Sequence, residues 1–301
     1  MQIGKWGINF YNSFMNYIVF AWIASFVYGM ELIIGKLTSK YTVSNPWLLN
    51  FVWSFFIILL IAPFAFANNV GISQFTSDLL WASLYYALSN ILYIITLQLM
   101  DITAFGPLFH FRTVFAVLLG VSMLGEQVTG WQIFLIGFIF LFGILSNVDE
   151  KLKWKAFFRP AILVAMSFLF VLALMGIYIN KAIAEQGYWN VTFWSMVIAQ
   201  VLSLITVPFF WKDALKTKLK NYSGLVWMSV ASAGATLAAN QAYATNVGIS
   251  SAIISLPFSS IIAIILSRVN PKLLEHHTAK VYAIRIIAAV VMLIAALQLS
   301  K

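Results

Sequence analysis

Ten apolar runs, each close to the roughly 20 residues a helix needs to cross the hydrocarbon core of a bilayer, constrain this chain more than anything else in it. They lie at 17–38, 48–67, 79–99, 102–124, 129–147, 158–184, 190–211, 222–246, 248–269 and 278–299. Charged breaks at Asp149–Lys155, Lys212–Lys220 and Arg268–Lys280 separate several of them. Almost no polar sequence marks the joins near Asp101, Glu126 and Gly248. The stretch 79–124 is too long for one span, so a tight hairpin near Asp101 is expected. In lipid every backbone polar group must be satisfied within the structure, which leaves helices and closed barrels. These runs are continuously apolar rather than alternating, so a barrel is disfavoured. The expected fold is an all-α integral membrane protein with ten transmembrane helices.

Composition agrees. Charged residues are 9% of the 301 and hydrophobic residues 62%, whereas a soluble domain carries about 25% charged residues. The net charge of +9 reads as a set of topology signals between spans rather than as a nucleic-acid footprint. The absence of cysteine excludes disulfides, thiolate metal sites and cysteine nucleophiles. The first apolar run, from Tyr17 to Lys36 and Lys40, is expected to be a retained helix and not a cleaved signal.

The chain divides in half. A shift of 150 residues places Asn90 on Asn240, Tyr93 on Tyr243 and Pro107 on Pro257. After one residue of adjustment, Glu126-Gln127-Val128-Thr129 falls on Glu275-His276-His277-Thr278. Five spans per half is an odd number, so residues 1–150 and 151–301 would insert with opposite orientation. Inverted repeats of this kind recur in secondary transporters, with the substrate site between the halves near the bilayer midplane.

The stretch FRTVFAVLLGVSMLGEQVTG at 111–130 resembles the fourth and fifth helices of the drug/metabolite transporter superfamily, in particular its EamA-like branch of ten-helix permeases. Leu124-Gly125-Glu126, Thr129 and Gly137 carry the likeness. The resemblance implies ten helices in two five-helix repeats and a secondary transporter of small metabolites, amino acids or drugs. It also implies a multi-pass protein of a bacterial inner (plasma) membrane. One departure stands out: that family often has Glu-Pro in the middle of helix four, where this chain has Arg112-Thr113.

In a bilayer the informative residues are the polar ones, since an ionised side chain at a helix centre costs about 2.5–3.5 kcal/mol on insertion scales. Arg112 lies near the middle of span four and cannot shed its proton. It reads either as a bidentate anchor for a substrate carboxylate or phosphate, or as half of a structural ion pair with Glu31. Glu31, past the middle of span one, reads as a proton-coupling carboxylate, because desolvation penalises its charged form. Its alternative is a salt bridge or a reach to the interface. The small multidrug relatives of the same superfamily also use a glutamate in helix one. His110 sits about 200° around the helix from Arg112, so the two cannot share a face. It is either a packing residue or a substrate and proton contact. Arg285, near the start of span ten, is expected to snorkel to the interface.

Tyr86, Asn90 and Tyr93 fall on one helical face, and Thr236, Asn240 and Tyr243 repeat that spacing in the second half. Such stripes either bind a zwitterionic or aromatic ligand or bond helix to helix. Pro107 and Pro257, each lacking a backbone donor, mark candidate hinges at matching places. The Ser229–Ala239 stretch suits close helix packing, and Trp47, Trp131 and Trp189 read as interfacial anchors.

No P-loop, metal-binding cluster or nucleophile elbow is present in the sequence, so no cofactor, metal or catalytic residue is expected, and an enzyme is the less favoured class. The expected function is alternating-access transport of a small polar metabolite, an amino acid or related organic anion, with proton coupling through Glu31 as a subsidiary expectation. A multidrug exporter of cationic lipophiles, a lipid-handling protein or enzyme, and a passive channel are the rivals. Orientation stays open. Lysine and arginine cluster after spans one, five, seven and nine, which puts those loops in the cytoplasm and both termini outside, while the resemblance implies cytoplasmic termini.

Overall fold

The computed structural model describes residues 4–124, 129–146, 159–245, 247–256, 258–270 and 278–299. Among the described residues the regular elements are helices, with no strand. In chain order they are α1 (4–41), α2 (46–67), α3 (77–99), α4 (102–108), α5 (111–124), α6 (130–146) and α7 (160–186), then α8 (188–203), α9 (211–216), α10 (223–243), α11 (247–254), α12 (258–269) and α13 (279–299). Among the described residues six segments are both long and apolar enough to cross a bilayer: Tyr17–Tyr41 of α1, then α2, α3 and α7, then α8 with its continuation to Phe209, and α13. The chain is a multi-pass integral membrane protein. Large apolar side chains such as Trp22, Phe26, Leu59, Phe140 and Ile287 point outward, as they can where the surrounding solvent is hydrocarbon.

Local chemistry explains the ends of these helices. Asn45 caps α2, accepting from Trp47 N at 2.9 Å and Leu48 N at 3.2 Å, and Pro46 follows at a position whose N–H would be orphaned in any case. Between α7 and α8 the chain reverses at Gly187, whose φ of +82° is a conformation that side-chain-bearing residues avoid.

Span four, expected as one helix over 102–124, is broken. Pro107 cannot donate to Thr103, and the backbone after it tightens to three-residue spacing: Phe109 N bonds Gly106 O at 3.2 Å and Arg112 N bonds Phe109 O at 3.0 Å. One proline therefore ends α4, and α5 restarts two residues beyond. The ninth span is also two helices, α11 and α12. Pro257, the candidate hinge there, lies outside the described residues, as do Gly125 and Glu126. The seventh span leaves α8 as a 3-10 turn over Leu204–Phe209, with Pro208 inside it.

The two breaks touch. Ser255 Oγ lies 3.1 Å from the Phe109 carbonyl and 2.6 Å from that of Ser251, so its single proton is shared between the two sides. Glycines let α12 come close. A Cβ on Gly29 would stand 2.9 Å from Phe258 Cβ, and one on Gly106 would overlap Ser260 Oγ.

Packing runs across the midpoint of the chain. α1 lies along α10, and α3 along α7; α2 meets α10, and α3 meets α8. α11 and α12 pack on α1, and α5 on α7; α4 meets α12, and α5 meets α11. The Ser- and Ala-rich stretch of α10 is buried in this arrangement, where Ser229 Oγ reaches the Trp53 carbonyl of α2 at 3.1 Å.

Candidate substrate cavity

A cavity of about 100 Å³ opens where α1, α2, α3, α5, α7 and α10 face one another. That is far more than one water needs. Tyr86, Asn90 and Tyr93 of α3 line one side, and Thr236, Asn240 and Tyr243 of α10 line another. Each set occupies one face because its members fall at helical spacing, and the packing of α3 and α10 around α1 and α7 turns both faces inward.

Glu31 forms one pole. It is 3% exposed, accepts a hydrogen bond from Tyr93 Oη at 2.9 Å and lies within hydrogen-bonding reach of Ser232. Ser232 Oγ in turn accepts from Trp53 Nε1 at 2.8 Å. Aromatic rings crowd this end, with Trp53 and Tyr93 centroids 5.7 Å apart and Tyr93 and Phe168 centroids 5.6 Å apart. On the wall towards Tyr86, Tyr28 Oη and Thr236 Oγ1 are 3.3 Å apart.

Arg112 forms the other pole, and is also 3% exposed. One terminal nitrogen donates to Tyr243 Oη, the other to the Leu172 carbonyl at 3.3 Å, and the guanidinium lies 4.8 Å from the Tyr243 ring centroid. Nε has no partner. Among the described residues no ion pair joins Arg112 to Glu31 or to any other carboxylate, so the structural pairing entertained for these two side chains is not formed. A carbonyl, a phenol and a π-face are weak compensation for a desolvated cation. The site therefore presents an arginine that is held in place but still short of an anion.

Gly176 makes room for it. A Cβ there would lie 2.9 Å from Arg112 Nη2, the far end of a flexible side chain. Gly176→Ala is expected to leave folding intact, displace the guanidinium and weaken binding of a small carboxylate in this cavity about tenfold, an estimate based on one lost hydrogen bond to a charged group. Carboxylate titration of the thermal shift, set beside the melting temperature in detergent, checks both halves of that statement.

Of the residues singled out in sequence, Tyr86, Asn90, Tyr93, Arg112, Thr236, Asn240, Tyr243 and Glu31 line one cavity. His110 does not. It is fully buried on the opposite side of the α4–α5 join, towards the Ala289 backbone of α13, as its angular separation from Arg112 requires. Pro107 sits buried in the last turn of α4. Arg285, expected at the interface, is 4% exposed, donates to Thr103 Oγ1 and stands 4.0 Å from Asp101 Oδ2, because α13 packs on α4 rather than lying at the rim. Sequence reading missed Tyr28, Trp53 and Ser232. Tyr28 lies three residues before Glu31, and Ser232 four before Thr236, so both extend faces already visible. Trp53 carries no such signal.

No family model and no curated protein matches the chain. Solved structures do. One, a crystal structure of a protein, superposes with a TM-score of 0.59 at 14% identity, covering 92% of this chain and 98% of the other. The likeness is one of fold.

Proposed function

We infer that this protein is a secondary transporter that moves a small polar metabolite, unchanged, by alternating access between two inverted five-helix repeats. The substrate class is amino acids or related organic anions. The observation that carries the reading is Arg112: a buried guanidinium lining a cavity, with no carboxylate partner among the described residues. Glu31 in the same cavity makes a zwitterion the best-fitting occupant, its anionic end on Arg112 and its cationic end on Glu31. The resemblance of the 111–130 stretch implies a bacterial inner membrane as its setting.

The packing supports the repeat. Exchanging the halves sends α1 to α7, α2 to α8, α3 to α10, α4 to α11, α5 to α12 and α6 to α13. Under that exchange the α1–α10 contact becomes α7–α3, the α2–α10 contact becomes α8–α3, and α4–α12 becomes α11–α5; every one of these pairs is in contact. Spans four and nine, which correspond under the exchange, are each broken into two helices, and discontinuous helices in corresponding spans of two halves are where such transporters bind their substrates.

Purified protein in liposomes, tested for counterflow of labelled amino acids and other organic anions with and without a pH gradient, examines the class directly. Saturable exchange is expected, and a flux that neither saturates nor exchanges would make the protein a channel. Proton coupling through Glu31 predicts that Glu31→Gln abolishes pH-driven accumulation with expression intact; accumulation unchanged in that variant removes Glu31 from the coupling path.

A second reading draws on the aromatic rings around Glu31, which suit a lipophilic cation. In a cation exporter Glu31→Gln would abolish transport and Arg112→Gln would not.

A further inference from the structure

Beside the main cavity lies a second, much smaller chamber of about 10 Å³ between α2, α3 and α8. Its volume suits a single polar heavy atom. Tyr86 and Asn90 line both spaces, so they form a shared wall. That wall is polar: Asn90 Nδ2 donates to Ser54 Oγ over a long 3.3 Å, and Tyr86 is within hydrogen-bonding reach of both Asn90 and Thr236. The far side holds Asn50 and Ser203. Asn50 is 2% exposed, and its Oδ1 has no hydrogen-bond partner. Ser203 Oγ spends its proton on the Gln200 carbonyl at 2.7 Å, which leaves its lone pairs available.

A buried amide oxygen without a partner costs about 1–3 kcal/mol, and an apolar side chain of similar volume would fill the place at no such cost. Its presence beside a cavity, behind two residues that line that cavity, points to a ligand group that completes it. We propose that this chamber is a polar subsite of the transport cavity, which reads one hydrogen-bonding substituent of the substrate through Asn50 and Ser203. The proposal rests on the transport reading above, and it adds a specificity determinant on α2 and α8, the pair of helices that would correspond under exchange of the halves. Solvent offers the same chemistry as a hydroxyl or amino substituent, so the test must separate the two sources.

The probes are amino-acid pairs that differ by one hydroxyl: alanine and serine, valine and threonine, phenylalanine and tyrosine. Counterflow in liposomes and thermal-shift binding to the purified protein are measured for the parent chain, Asn50→Leu and Ser203→Ala. The second variant, a smaller change on another helix, keeps the test decisive if the first does not fold. A site built around a polar group discriminates against ligands lacking it. For at least one pair the parent is therefore expected to favour the hydroxylated member about tenfold or more. Both variants should erase that preference, with the hydroxylated member falling to the level of the unsubstituted one. A preference that survives both variants, or none in an exchanging parent, overturns the subsite and leaves solvent as its occupant. Binding that depends on Asn50 without any counterflow sinks the transport reading and keeps the subsite. Neither binding nor exchange for any probe sinks both.

Discussion

Arg112→Gln is expected to cut exchange of anionic substrates by about thirtyfold or more while leaving cationic ones close to their original rate. Truncating one partner of a desolvated, hydrogen-bonded charge pair costs about 2 kcal/mol or more, and each 1.4 kcal/mol is a factor of ten. The same substitution should not destabilise the protein. Arg112 is buried, is partnered by a phenol, a carbonyl and a ring face, and carries a charge that helix insertion disfavours by about 2.5–3.5 kcal/mol. Glutamine keeps a donor for Tyr243 and removes that charge, so the melting temperature in detergent should hold or rise. Arg112→Lys retains the charge but not the fork that grips a carboxylate at two points, and its affinity should fall between the two. The decisive comparison is charge selectivity against stability. Equal loss for anions and cations, together with a fall in melting temperature, would make Arg112 a structural residue and remove the main support for the transport reading.

The second large effect is structural and lies at the crossing of α1 and α12. Gly29→Val is expected to abolish counterflow and lower thermal stability sharply, with Gly29→Ala part of the way there. An added Cβ would stand 2.9 Å from Phe258 Cβ and 3.1 Å from Ser259 N, and neither neighbour is the free end of a side chain. Relief must come from moving α12 as a body. Overpacking of this kind costs typically 1–3 kcal/mol, and valine's extra methyl groups add to it. Gly137→Ala supplies the control, since a Cβ there meets nothing within 4 Å and alanine is the better helix former by about 1 kcal/mol. That variant should match or exceed the parent in stability. If Gly29→Val is as stable as the parent, α12 does not sit where the structure has it, and the break between α11 and α12 would need another account.

Hydropathy marked the six described segments that are long and apolar enough to cross a membrane because the demand it reports is local: each residue in lipid must be apolar on its own account, and each backbone group must bond within its own helix. Helical spacing likewise grouped Tyr86, Asn90 and Tyr93, and separated His110 from Arg112, since the angle between two side chains on one helix depends only on their distance along it. Span four illustrates the limit. Its apolar run carries on across residues 108–111 with His110 its one interruption, so hydropathy read one helix, while the lost donor of Pro107 breaks it in two. The proline was visible; that Ser255, in the other half of the protein, would donate to the Phe109 carbonyl at the break was not.

Which faces meet is not a local property. Nothing near Arg112 in the chain says that its guanidinium lies against Tyr243, 131 residues away, or that Glu31 stands in the same cavity without pairing to it. Arg285 looked like an interfacial residue because it is seven residues into its helix; packing of α13 on α4 buried it against Thr103 and Asp101 instead. Trp53 joined the site only because α2 packs against α10. The chain's own residues thus decided that it is a helical membrane protein and which side chains share a face. Tertiary packing decided which faces look at one another, because in lipid helices are paired by shape and by interhelical hydrogen bonds, and these depend on residues far apart in sequence.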